Sequence, residues 1–180
     1  MAISAYLRRL RQYVGHDLLL IPAVTAVVTD GEGRILLVED VDSGRWILPG
    51  GAVDPGERPA DALVREMREE LGVEVEPTAV LGVFGGPECV TEYRNGDRVE
   101  YVTTVFACRI VAGEPVPDGE EVARFRFTSS EERDGMRVAP LTRHILARTD
   151  PDAPGARFDP PSPSGAADVP EPVRESPGKR

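Results

Sequence analysis

Residues Pro59–Leu71 restrict the fold more than any other stretch of the chain. Apolar side chains recur there at helical spacing (Ala60, Leu63, Val64, Met67, Leu71), a proline opens the run and Gly72 follows it. Proline suits the first helical turn, where its missing N–H has no partner to lose, and glycine suits the left-handed position that ends a helix. The pattern predicts an amphipathic helix with one buried stripe. Strand-like runs lie on both sides, at 23–29, 34–39 and 46–48 before it and at 73–75, 79–84, 99–111 and 122–127 after it. A helix set among strands in this way predicts an α/β fold, with a mixed sheet and helices on both faces. Asp30-Gly31-Glu32-Gly33 predicts a hairpin between the first two runs, and Asn95-Gly96 a turn before the longest.

The two ends of the chain differ from this middle. Ile3, Leu7, Leu10 and Val14 alternate with Arg8, Arg9 and Arg11 up to Gly15, which predicts a short amphipathic helix within 1–17. Such a helix can pack on the body or pair with a second copy, so a homodimer is one assembly it permits. Pro140 opens a last helix through Leu146. Residues 151–180 hold 8 of the 17 prolines and few large apolar groups, so 149–180 reads as a disordered Pro-rich tail beyond a domain spanning 18–148.

Charge and composition narrow the function. Against 21 Lys and Arg stand 31 Asp and Glu, a net charge of −10, which argues against a nucleic-acid backbone binder and against docking on anionic lipid. The most apolar stretch, 18–28, has eleven residues interrupted by Pro22 and Thr25, too few to span a bilayer. Arg8, Arg9 and Arg11 leave no continuous apolar segment of the secretory kind at the N-terminus. Cys89 and Cys108 lack metal-ligand spacing and fit a reducing, cytoplasmic setting as small buried residues.

The chemistry concentrates on the central helix. Glu66, Glu69 and Glu70 occupy i, i+3 and i+4, so the spacing predicts three carboxylates on one side of the helix, away from the apolar stripe. Left alone they repel one another. A hard divalent cation, Mg²⁺ or Mn²⁺, would relieve that and could take substrate phosphates at its remaining positions. Gly50, Gly51 and Gly56 upstream let main-chain atoms approach a ligand closely. The bland alternative is a solvated helix face with Arg65 and Glu69 as an i, i+4 ion pair.

The surrounding context decides between these readings. Gly51, five residues, Glu57, seven residues, Arg65-Glu66, Met67, one residue, Glu69-Glu70, one residue, Gly72 and Val73 fill every fixed position of the Nudix box. The chain resembles the Nudix hydrolase superfamily, in its MutT-like or ADP-ribose pyrophosphatase-like branches, over about residues 20–147, and Arg45 to Gly50 looks like the usual lead into the box.

The resemblance implies an α/β/α sandwich around a mixed sheet. It also implies hydrolysis of a nucleoside diphosphate linked to another moiety, by water attack on phosphorus with Mg²⁺ (or Mn²⁺) as cofactor. The substrate would be a small nucleotide, either a nucleotide sugar such as ADP-ribose or a nucleoside triphosphate. By position, Glu66, Glu69 and Glu70 resemble the metal ligands and the Gly50 carbonyl a further one. Glu57 and Arg65 correspond to the ion pair inside the box. Members often add a carboxylate from a later loop, for which Glu120 and Glu121 are the candidates, Glu120 first. Arg45, Gly50 and Gly51 are candidates for contacting substrate.

Pro87, near the place of a proline in ADP-ribose-hydrolysing members, is equally explained by a Gly-Gly-Pro turn. Phe84, Tyr93 and Tyr101 could stack on a base or belong to the core, and Arg94 and Arg98 could meet phosphates or solvent. The competing function is a non-catalytic Nudix-like nucleotide-sensing or interaction domain, whose usual mark, an eroded box, is missing here.

Overall fold

The computed structural model describes residues 4–153 and 155–160. Its centre is a parallel pair of long strands, β1 (Leu19–Val28) and β7 (Arg98–Ala112), aligned from Leu19 opposite Val99 to Val28 opposite Cys108. β4 (Gly50–Ala52) pairs antiparallel with the outer side of β1, and β5 (Glu74–Phe84) pairs antiparallel with the outer side of β7. β6 (Val90–Glu92) turns back on the start of β7 through Asn95-Gly96, with the Gly96 N–H donating to the Tyr93 carbonyl. A second sheet has β2 (Ile35–Asp40) between β3 (Trp46–Ile47) and β8 (Val122–Thr128), all antiparallel.

Helices cover both faces of the larger sheet, as an α/β fold requires. Helix α2 (Pro59–Leu71) buries Leu63, Met67 and Leu71 against Val24, Ala26 and Phe106. On the other face, α1 (Ala5–Val14) and α4 (Pro140–Leu146) bring Leu7 and Ile145 into a core with Ile21, Phe84 and Val105. The Ser4 hydroxyl caps α1 by accepting the Leu7 N–H, and Gly72 ends α2 at φ +65°. A short helix α3 (Ser130–Asp134) begins with a capping box between Ser129 and Glu132. Among the described residues no helix is long and apolar enough to cross a membrane. Cys89 and Cys108 are buried and unbridged, and desolvation pushes their thiols up to about 11 and about 12.

Three local expectations are corrected. The turn after β1 forms, with the Asp30 carboxylate accepting the Glu32 and Arg34 N–H groups, but β1 and β2 share only the bridge Thr29–Ile35 and then join different sheets. Both edges of β1 are taken by β4 and β7, and both edges of β2 by β3 and β8, so the two strands have no edge left to share. The runs at 73–75 and 79–84 are one strand, β5, which crosses Pro77 by shifting register between Pro77 and Ala79. The third correction concerns the tail. Arg157 and Phe158 form β9 (Arg157–Phe158) along β5, opposite Gly82 and Val83. Asp159 meets His144 Nε2 and Arg148 Nε, each at 2.8 Å. Proline-rich composition excludes a packed core but not a few main-chain pairs at a sheet edge. Residues 161–180 of the tail and Ile3 of the first helix lie outside the described residues.

Candidate active site

Pairing of β4 with β1 lays Gly50 and Gly51 beneath the exposed edge of α2. Gly50 has φ +143°, and a Cβ there would lie 2.2 Å from the Val24 carbonyl oxygen, so only glycine fits. A Cβ on Gly51 would fall 2.4 Å from Glu66 Oε1. The bare backbone is what lets the Glu66 carboxylate lie flat against the strand.

Arg65 ties this region together. Its guanidinium grips Glu57 with two parallel hydrogen bonds, Nε to Oε1 at 2.8 Å and Nη2 to Oε2 at 3.0 Å, and donates to the Ala52 carbonyl at 3.0 Å. The same group donates to Glu66 at 2.8 Å and Glu69 at 3.1 Å. Glu57 also accepts the Asp54 N–H, and the Arg65 contact holds its carboxyl below the usual range. Loop and helix are thereby joined by charge-assisted bonds.

The three helix carboxylates fall within one 100° arc of α2 but differ in burial. Glu69 is 60% exposed, Glu66 is largely covered, and Glu70 is buried at 5% exposure beside Met67 and Leu71. A step of 100° per residue separates Glu69 from Glu70, so i and i+4 (Glu66, Glu70) form the inner row and Glu69 the outer. Burial raises the pKa of Glu66, against the pull of Arg65. Burial raises that of Glu70 further, with the Glu66 and Glu121 charges adding to it and the Gly50 N–H opposing. Glu70 Oε2 is a buried side-chain oxygen with no hydrogen-bond partner among the described residues.

Of the two adjacent acids in the later loop, Glu121 and not Glu120 lines the recess beside the helix carboxylates. Asp118 accepts the N–H groups of Glu120, Glu121 and Val122, while its own N–H donates to the Glu70 carbonyl at the end of α2. That anchor leaves Glu120 exposed and sets Glu121 in a recess of about 50 Å³ that Glu66, Glu69, Arg65 and Asp54 also line. Arg45 sits exposed in the β2–β3 turn and lines neither this recess nor the larger cavity beside it. Asp118 is the feature sequence reading overlooked; an Asx-type loop anchor ahead of a strand is a visible signal for it. Among the described residues no three His, Cys, Asp or Glu side chains form a ready metal-ligand group, and Arg65 holds Glu66 and Glu69.

The NUDIX domain model matches residues 19–148. The chain belongs to the Nudix family. A putative 8-oxo-dGTP diphosphatase of Bacillus subtilis (strain 168) is 35% identical over 103 residues, covering 57% of this Nudix chain and 62% of that relative. The nucleoside triphosphatase NudI of Salmonella heidelberg (strain SL476) is 30% identical over 132 residues, 69% of this chain and 93% of that one. Among solved structures, a MutT NUDIX hydrolase from Burkholderia pseudomallei superposes with a TM-score of 0.60 at 26% identity, covering 72% of this chain and 97% of that one. The Nudix fold is thus shared over 72% of this chain, and the chain is placed among hydrolases.

Proposed function

We propose that this Nudix chain hydrolyses the phosphoanhydride of a nucleoside diphosphate linked to a further group, with Mg²⁺ or Mn²⁺ as cofactor. The observation that carries the reading is the buried Glu70 oxygen without a partner, one helical turn from Glu66 and within reach of the Glu121 charge. Burial of unpaired carboxylate is expensive unless a cation compensates it. Hard oxygen donors of this kind suit Mg²⁺. The residues that would hold it are Glu66, Glu70 and Glu121, with Glu69 and the Gly50 carbonyl at the rim. When bound, the cation would neutralise phosphate charge and lower the pKa of a coordinated water.

The chain's own residues do the positioning. Gly50 and Gly51 keep main chain and the Glu66 carboxylate in contact, and the Glu57–Arg65 fork fixes the loop to α2. Arg65 also stands between the Glu66 and Glu69 charges. A carboxylate of the inner row would accept the proton of the attacking water. The relatives named for nucleoside triphosphates support a small nucleotide as substrate, and the buried thiols agree with a reducing, cytoplasmic setting.

The test is a panel of nucleoside triphosphates and nucleotide sugars, including ADP-ribose, incubated with the purified chain and Mg²⁺. Release of a nucleoside monophosphate from at least one member is expected and should cease with a chelator. Silence across the panel would favour a nucleotide-sensing domain instead.

A further inference from the structure

Helix α1 lies outside the residues that match the Nudix domain, yet it borders the carboxylate recess. A cavity of about 240 Å³ opens between α1, the start of β1 and the β6–β7 hairpin. Leu19, Ile21 and Val99 give it an apolar floor, Tyr93 and Tyr101 an aromatic wall, and Arg94 part of its rim. The two tyrosine hydroxyls are 2.5 Å apart, and Glu66 is near enough for its charge to act on Tyr101. Leu7 of α1 lines both this cavity and the recess at Glu66.

Arg11 fixes the helix in that place. It donates to the carbonyls of Asp17 and Arg98, each at 2.7 Å, and to that of Gly15 at 3.1 Å. Its Nε lies 3.6 Å from the Asp97 carboxylate, which His16 Nδ1 and the Asn95 amide also contact. Helix and hairpin are therefore latched into one unit across the mouth of the cavity.

An apolar, aromatic-walled slot with a polar rim suits a flat heterocycle, and its volume falls below the ~300–1,000 Å³ of pockets for larger ligands. We infer that α1 is a specificity-determining wall of the substrate site, closing a pocket that takes the base of one mononucleotide while its phosphates reach toward Glu66 and Glu70. The inference rests on the hydrolase reading for its second half only; occupancy of the cavity by a base is a separate matter.

Two variants of the full chain test it. Val99→Phe fills the cavity from a strand, and Arg11→Met releases the latch. Thermal melts identify which variants are folded. KM and kcat are measured with Mg²⁺ on nucleoside 5′-triphosphates of all four bases, and binding of the corresponding 5′-monophosphates is measured by equilibrium dialysis. The expected result is a KM raised roughly tenfold or more with kcat within about threefold, weaker monophosphate binding, and a smaller difference between bases. Unchanged KM and unchanged monophosphate affinity in a folded Val99→Phe chain would overturn the pocket while leaving the hydrolase standing. Monophosphate binding that Val99→Phe abolishes, in a chain that turns over no nucleotide, would support the pocket and sink the hydrolase. A 5′-triphosphorylated RNA turned over in preference to every free nucleotide would also overturn the single-base assignment.

Discussion

A Cβ built on Gly51 would stand 2.4 Å from Oε1 of Glu66, so strand β4 and helix α2 meet at a glycine and a carboxylate with no room between them. The obstructed atoms belong to the far end of a flexible side chain, which can swing away. Gly51→Ala should therefore leave the melting temperature within a few degrees of the unmodified chain, yet lower kcat/KM by roughly 100-fold, as expected for a displaced charged group at a reacting centre. Gly50→Ala should behave in the opposite manner. There the clash is with the Val24 main chain at φ +143°, so the variant should lose fold stability along with activity. Kinetics and melts on the two neighbours read the difference directly.

Glu70 yields a prediction with a sign in pH. Its carboxyl holds a proton more tightly in the folded chain than in the unfolded one, because burial disfavours the charged form. Stability from that difference is complete below the unfolded value and drains away as pH rises through the folded value. Cation-free protein should accordingly melt lower at about pH 8 than at about pH 5 from this group's contribution. Glu70→Gln, which keeps the shape and removes the charge, should flatten that slope and raise the melting temperature at about pH 8 while lowering turnover by roughly 100-fold or more. Adding Mg²⁺ at 100 times its Kd should stabilise the unmodified chain by about 2.7 kcal/mol and the variant by less. A steeper slope in the variant would contradict the assignment.

The Glu57–Arg65 fork supports the site by tying the loop to α2. Arg65→Lys keeps the charge but cannot make two parallel bonds to one carboxylate. Activity should fall by roughly 10–100-fold, the usual range for a group that orients ligands. Because the same guanidinium also reaches Ala52, Glu66 and Glu69, Glu57→Gln should fall less far than Arg65→Lys. Parallel measurements of kcat/KM at saturating Mg²⁺ order the two.

What the sequence revealed of this site, and what it hid, follows from the range of the forces involved. Helix α2 was legible to the residue because Pro59 and Gly72 act on their own backbone, and local chemistry needs no tertiary context. The unequal burial of Glu66, Glu69 and Glu70 was not, since helical spacing gives angles but not how far the core covers each. Glu70 is buried because the turn at Asp118 and strand β4 close over it, and both come from distant sequence. Glu121 and Glu120 are adjacent acids that only the Asp118 anchor tells apart. Likewise the Asp30 turn was readable, while the parting of β1 and β2 into two sheets depends on β8 and β7, far along the chain.

The C-terminal contacts invite a last measurement. β9 sits at the edge of the sheet opposite to β4, and Asp159 pins it to His144 of α4 and to Arg148 just beyond that helix. Gly82 makes the close approach possible, since a Cβ there would lie 2.7 Å from the Arg157 carbonyl oxygen. Ending the chain at Asp150 removes two strand residues and a half-exposed charge pair, interactions worth about 1–2 kcal/mol together. The melting temperature should therefore fall by a few degrees, and Asp159→Ala should reproduce part of that fall. Because the carboxylates lie across the sheet, kcat and KM should remain those of the full chain. An equal loss of activity and stability on truncation would mean that the edge strand communicates with the site, against the separation that the strand order implies.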